Sequence, residues 1–388
     1  MSLTVCIAPA NTLTYPQGGG HLWVFLQWAL ALRALGCRVI WLEGVDLNDA
    51  DTSPAARRRR RGGLPRECVA ILKAHLEPYG FADALALYPM NGGALPDDLA
   101  KECLDLDTAA RADLLLNLWH SQPAWVVGRF RRSAYVDTDP GVVQVWITTG
   151  EIHLAAHDVY FTIGETVGTP EARFPDCGLG WQYTPPPVFL PEWPETRADR
   201  TAPYTTITHW WGGTFAFHGV TFSNEKHLAF LEYLQLPSRT SATLELAVCL
   251  GDHLSEWQGR FQPAGWTIRE AWGVSASPQD YRQYIQGSRG EFSCAKPYCA
   301  QFANAWISDR TLCYLASGKP AVVQHTGPSR FLPEAEGMFR FRSMDEAARA
   351  LATVEADYER HCRAARALAE QYFDGCRVVA RVLERALN

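Results

Sequence analysis

Trp306-Ile-Ser-Asp-Arg-Thr-Leu-Cys-Tyr-Leu-Ala-Ser-Gly-Lys-Pro-Ala-Val-Val-Gln324 reads as a loop, a short helix, a glycine stop and a buried strand, in that order. Ser308 is placed to cap the helix by accepting a hydrogen bond from a first-turn N–H. Asp309 then stands beside the positive end of the helix dipole. Gly318 supplies the left-handed residue that ends the helix, and Pro320 prevents its continuation. Ala321-Val322-Val323 has the composition of a strand inside a parallel sheet. The unpaired N–H groups at such a helix start suit phosphate. A unit of this kind that touches no ligand would look the same, so the rest of the chain has to decide.

Outward from this stretch, strands and helices alternate. Leu3 to Pro9 predicts a strand, Asn11 to Gly20 a glycine-ended loop, His21 to Leu35 a buried helix and Cys37 to Leu42 the next strand. That is the opening of a doubly wound α/β domain. GxGxxG is absent, which disfavours a nicotinamide enzyme. Leu114 to Leu118, Ala134 to Asp137 and Val159 to Ile163 predict further strands of the same sheet. Pro185-Pro186-Pro187, Pro191 and Pro194 fit neither helix nor central strand and read as a connector. The pattern then restarts, with strands at Tyr204 to His209, Thr243 to Gly251, Thr267 to Trp272, near Phe292, at 321–325 and at Met338 to Phe341. Helices are predicted at Lys226 to Leu234, Pro278 to Gln286, Asp345 to Leu351, Val354 to Tyr372 and Val378 to Leu387. The expectation is an α/β protein of two doubly wound Rossmann-like domains with a cleft between them. Residues 1–190 form an N-terminal domain and 191–203 a linker. Residues 204–372 form a C-terminal domain, and 373–388 a helix that is a candidate to pack back on the first domain.

Composition narrows the class. The 388 residues are 47% hydrophobic and 20% charged, which describes a folded chain with a large core. A net charge of −6 offers nothing to nucleic acid, although Arg57 to Arg61 is a basic run, read as a solvated face. The eleven cysteines show no paired CxxC spacing or compact ligand set, so no metal site is expected and a reduced cytoplasm is the simpler setting. No secretory leader is expected ahead of the first strand. The longest apolar run, Leu22 to Leu35, falls short of the roughly 20 residues of a membrane span. Fourteen tryptophans are compatible with carbohydrate handling, since indole rings suit half-wet clefts, but tryptophan serves cores equally well.

Longer motifs carry a resemblance. Ser288-Arg-Gly-Glu-Phe-Ser-Cys-Ala-Lys296, Trp306-Ile-Ser-Asp-Arg310, His325-Thr-Gly327 and Leu332-Pro333 are similar to a bacterial group of GT-B glycosyltransferases. The tail from Asp357-Tyr-Glu-Arg-His361 to Ala369-Glu-Gln-Tyr-Phe373 fits as well. In the first half the likeness includes Gly18-Gly-Gly-His21, Val136-Asp-Thr-Asp-Pro140 and Phe161-Thr-Ile-Gly-Glu165. The resemblance implies a transferase that moves a sugar from a nucleotide-sugar donor to an acceptor, with no cofactor and no obligatory metal. The acceptor is expected to be a small molecule such as a secondary metabolite, with no nucleic-acid or membrane-spanning partner. Oligomeric state and anomeric outcome are unreadable. One departure stands out: many retaining members carry a ribose-binding glutamate five residues before the glycine that ends the donor helix, and here that position is Cys313.

The residues suggest roles. A departing nucleoside diphosphate needs cations and N–H donors, so Lys296 and Arg310, with the helix start at Ser308 and Asp309, are candidates for the phosphate site; Arg310 in a surface ion pair is the other reading, and Arg289 is a weaker candidate. Gly19 and Gly20 let backbone approach a ligand. His21, at a helix entrance whose dipole lowers its pKa, is a candidate base. Asp137 and Asp139, two apart on an extended stretch, would face the same way as catalytic or hydroxyl-binding carboxylates, or one would form an Asx turn. His209, ending the first strand of the second domain, is expected in the donor site. Glu165 and His157-Asp158 are further cleft candidates. Rival readings are a sugar-nucleotide epimerase or phosphorylase of the same fold and a non-catalytic nucleotide-sugar-binding protein, with a dehydrogenase more distant.

Overall fold

The computed structural model describes residues 2–15, 18–47, 65–333 and 336–388, so the Arg57–Arg61 run lies outside the described residues. Strands β1 (Thr4–Ala8), β2 (Arg38–Val45), β3 (Leu85–Pro89) and β4 (Leu104–Asp105) form one half of the first sheet. Strands β5 (Leu114–Asn117), β6 (Ser133–Asp137), β7 (Val159–Thr162) and β8 (Trp181–Tyr183) form the other. All pair in parallel, in the order β4-β3-β2-β1-β5-β6-β7-β8. Runs such as Leu114-Leu115-Leu116 are buried throughout, as strands covered on both faces must be.

The second sheet is built from β9 (Tyr204–His209), β12 (Leu244–Cys249), β13 (Thr267–Glu270), β14 (Gly290–Ser293), β15 (Ala321–Gln324) and β16 (Met338–Phe341). It is also parallel, ordered β13-β12-β9-β14-β15-β16. A hairpin of β10 (Thr214–Phe217) and β11 (Val220–Ser223) stands outside it. Six helices frame the cleft and the contact between the domains: α1 (Gly19–Ala34), α2 (Val142–Thr149), α3 (Pro278–Gly287), α4 (Pro297–Phe302), α5 (Asp309–Ala316) and α6 (Gly375–Leu387). The strand order reverses between β1 and β5 in one sheet and between β9 and β14 in the other. Those switch points are where open α/β sheets hold ligands.

The opening stretch folds as read: Ser308 Oγ accepts from the Arg310 N–H at 3.3 Å, Gly318 turns at φ +67°, and β15 follows. Elsewhere there are differences. Helix α1 starts two residues early, inside the glycines. The long helix expected over 354–372 is broken at Asp357, whose carboxylate caps the segment that follows.

The proline-rich stretch is not a free connector. Trp193 is fully buried against Trp23 of α1, with ring centroids 4.8 Å apart. Val188 hydrogen-bonds with Phe373 and Gly375 at the start of α6, which itself packs on α1. Helix α1 also meets the second domain directly: Trp23 Nε1 donates to the Pro278 carbonyl at 2.8 Å, and Gln27 Nε2 to Cys313 Sγ at 3.6 Å. One apolar cluster therefore runs through both domains, joining Leu26 and Leu30 to Tyr281, Leu312 and Leu315.

Gly19 sits at the tightest point of this contact. A Cβ there would lie 2.1 Å from the Ser277 carbonyl oxygen, which is backbone and cannot swing aside. Gly19→Ala is expected to destabilise the chain by about 1–3 kcal/mol, as overpacking does, read from the denaturant midpoint.

Candidate functional site

Between the carboxyl ends of the two sheets lies a cavity of about 500 Å3. Its N-terminal wall is largely aromatic and apolar, with Val24 and Phe25 of α1, Leu118, Trp119 and His120 beyond β5, and Tyr135. The opposite wall presents His209, Trp211, Lys226, Lys296 and the start of α5 at Ser308, Asp309 and Arg310.

His21 faces this space from the first turn of α1. Its Nε2 donates to the Ala10 carbonyl at 2.5 Å, which fixes the proton there and leaves the lone pair on Nδ1. Burial lowers its pKa and the Ala10 hydrogen bond only partly opposes this, so the ring is neutral near pH 7; burial rather than the helix dipole is the leading cause. Tyr15 and Phe25 hold the ring edge-on, at 5.8 and 5.2 Å between centroids.

The glycines divide. Gly18 and Gly20 line the cavity, whereas Gly19 is buried against Ser277 and gives its space to the domain contact. The two aspartates also divide, because Asp137 ends β6 and the chain turns immediately after it. Asp137 is wholly buried, and its carboxylate accepts from the Asp139 N–H at 3.0 Å, Gln144 Nε2 at 2.8 Å and Thr162 Oγ1 at 2.9 Å. Burial raises its pKa to about 6 against those hydrogen bonds. Asp137 therefore shapes the turn that carries Asp139 and is not a cleft carboxylate. Asp139 does reach the cavity, where Lys296 Nζ donates to it across the domain boundary at 2.7 Å and Tyr298 OH at 3.4 Å. Burial alone would lower the Lys296 pKa, but the Asp139 carboxylate holds it above the ordinary lysine value.

Arg310 forms an ion pair, but a buried one and not at the surface. Its guanidinium is buried, donating from Nε to Glu291 at 2.8 Å, from Nη1 to the Ile207 carbonyl at 2.9 Å and from Nη2 to Ser293 Oγ at 2.5 Å. It ties the start of α5 to β9 and β14, and it also lines the cavity. Asp309, at the first helical position, is half-buried, and desolvation raises its pKa against the pull of Arg310 and Lys226. His209, at the end of β9, packs against Tyr15 at 5.6 Å.

Lys226 escaped the sequence reading. It begins a helix just after the hairpin, and its Nζ lies 5.9 Å from the Trp306 ring centroid. It forms no ion pair among the described residues, and burial next to Arg310 and Lys296 pulls its pKa down to about 7. An ammonium held beside two other cations is a site prepared for an anion. No spacing signal marks it; only the fold brings it to the cleft.

Three other candidates lie elsewhere. Arg289 pairs with Glu355 at 2.9 Å and stacks on Tyr358. Glu165 is buried and bonds the 329–330 loop, its carboxylate accepting from Ser329 Oγ at 2.6 Å. His157 is a core residue held by Asn117 and the Ala155 carbonyl. Cys313 faces Gln27 in the domain contact and not the cavity. Among the described residues no group of His, Cys, Asp and Glu side chains is arranged to hold a metal, and no helix is long and apolar enough to cross a membrane.

Solved structures share this architecture over nearly the whole chain. An alpha-glucosyltransferase in complex with UDP and a 13-mer DNA superposes with a TM-score of 0.62 at 11% identity, covering 100% of both chains. The fold is GT-B. Anabaena Alr3699/HepE in complex with UDP and glucose gives 0.57 at 13% identity over 99% of each chain. AviGT4, a glycosyltransferase involved in avilamycin A biosynthesis, gives 0.52 at 14% identity over 99% of this chain and 97% of its own. No protein-family profile and no curated protein matches the sequence. In the GT-B frame, β9 and β14 are the strands whose ends flank the second switch point, and His209, Lys296 and the α5 start all issue from that edge.

Proposed function

We propose that this chain is a glycosyltransferase that moves a sugar from a nucleotide-sugar donor, with UDP as the first nucleotide to test, to a small-molecule acceptor. The observation that carries the reading is the convergence of Lys226, Lys296 and the α5 start on one cleft between two switch points. The UDP-bearing neighbours support it by fold.

In the reaction the bond from the sugar's anomeric carbon to the diphosphate breaks, and the nucleoside diphosphate leaves with the bonding pair. Lys226, Lys296 and the helix dipole of α5 stabilise the charge that develops on it. With these cations present, the reading needs no metal. The acceptor oxygen bonds the anomeric carbon and loses its proton to His21 Nδ1, the ring nitrogen left with a lone pair. Phe25, Trp119 and Val24 offer the acceptor an apolar wall. Among the described residues that wall carries Asp139 and no lysine or arginine, which favours a small neutral acceptor over a polyanion such as DNA.

The rival reading is a nucleotide-sugar-binding protein without turnover. The test is His21→Ala with donor and candidate acceptors. Turnover is expected to fall about 10²–10⁴-fold with donor affinity kept. Undiminished turnover would remove His21 as the base. Tight donor binding with no turnover by the unmodified chain, across a broad acceptor panel, would favour the non-catalytic reading.

A further inference from the structure

A second cavity, of about 190 Å3, opens where the two domains meet the C-terminal helix, and its lining shares no residue with the cleft. Phe161 of β7, Phe373 and Val382 of α6 are its buried apolar floor. Tyr183 of β8 stacks on Phe331 of the second domain, 5.3 Å between centroids and 8° from parallel, and Phe331 remains 51% exposed. At the mouth stand Arg381 and Arg385, one turn apart on α6. Both are exposed and neither forms an ion pair among the described residues, although Arg377, one turn earlier, pairs with Asp374.

Each part specifies something about an occupant. A cavity of about 150 Å3 holds benzene, so this one takes a single aromatic ring. The floor and the Tyr183–Phe331 stack suit the ring's apolar faces and edges. Two unpaired guanidinium groups match a phosphate monoester, which carries about two negative charges near neutral pH and accepts bidentate hydrogen bonds. We infer that this cavity is a binding site for a small aryl phosphate, separate from the proposed donor and acceptor sites. Phe331 and Leu332 come from the second domain, while Phe161 and Tyr183 come from the first. An occupant therefore bridges the two and favours this arrangement of the domains over any in which they part.

The site is tested by calorimetric titration of the full chain with phenyl phosphate, with inorganic phosphate and phenol as controls. Expected is one site per chain, with phenyl phosphate bound at least about tenfold more tightly than either control. The double variant Arg381→Ala/Arg385→Ala should weaken it at least about tenfold while unfolding at the same temperature, both side chains being exposed. Phe331→Ala should narrow the preference over inorganic phosphate, and Lys226→Ala should leave the affinity unchanged. The inference is overturned if phenyl phosphate fails to bind, binds no better than inorganic phosphate, or keeps its affinity in the double arginine variant. Loss in Lys226→Ala would also overturn it, by placing the ligand in the cleft.

Discussion

Arg310→Ala is expected to lower the stability of the fold by about 3–5 kcal/mol, more than any other single change at the cleft. The side chains of Arg310 and Glu291 are 6% and 0% exposed, so the pair is desolvated on both sides. Removing the guanidinium leaves the Glu291 carboxylate buried without a cation, and the Ile207 carbonyl and Ser293 Oγ each lose a donor. The second Glu291 oxygen already has no hydrogen-bond partner among the described residues. Urea denaturation measures the loss. Adding Glu291→Gln to Arg310→Ala should recover part of it, because the orphaned charge is then gone. A near-normal midpoint for Arg310→Ala would mean that the pair does not anchor α5. Because the same residue ties the start of that helix to the sheet, activity lost in this variant has to be read together with its stability.

Lys226 is the residue whose removal should most affect the donor directly. Lys226→Ala is expected to weaken nucleoside-diphosphate binding at least about tenfold, as loss of a charged hydrogen-bond partner does. Its titration gives a second, independent signature. With a pKa of about 7 in the free chain, half the ammonium is lost near neutrality. An anion binds the protonated form, so affinity should fall by up to about tenfold per pH unit above pH 7, a range in which the diphosphate itself is fully ionised. The slope should vanish in Lys226→Ala. Stability of the free chain runs the opposite way. The folded pKa lies below the unfolded lysine value near 10.4, so the unfolded state holds more protons between about pH 7 and 10, and this group makes the fold more stable as pH rises through that window. A pH-independent affinity in the unmodified chain would remove Lys226 from the diphosphate site.

The fold was legible in the sequence because apolar runs and glycine stops fall at regular spacing. Strands such as Leu114–Asn117 and Val159–Thr162 emerged within a residue or so of their expected bounds. The hairpin Thr214–Phe217/Val220–Ser223 was not legible. Its turn is His218-Gly219, both at positive φ, where Asn-Gly or Asp-Gly would have announced it. Lys226 follows that hairpin, and its arrival at the cleft depends on a connection the sequence does not advertise.

The site was partly legible. His21, Asp139, His209, Lys296 and Ser308 to Arg310 all reach one cavity because each lies at or just beyond the carboxyl end of a strand or at the start of the following helix. Spacing along the chain does not say which charged groups pair. Arg310 of α5 is claimed by Glu291 of β14, and Asp137 by Gln144 and Thr162. Such partners are fixed by tertiary contact, and the alternation of an extended stretch breaks down at the turn after Asp137. Proline in the stretch before the second domain excludes helix and central strand, but it does not prevent Val188 and Trp193 from packing into the domain contact.

On the proposed reading a nucleoside diphosphate sits between Lys226, Lys296 and the start of α5. The most direct test of that reading is calorimetric titration of UDP, without added metal, into the unmodified chain, Lys226→Ala and Lys296→Ala. Expected is single-site binding that each substitution weakens at least about tenfold, with the thermal unfolding of the ligand-free variants close to that of the unmodified chain. Equal affinity in all three proteins, or no binding of UDP, dTDP, GDP or ADP to the unmodified chain, would contradict it.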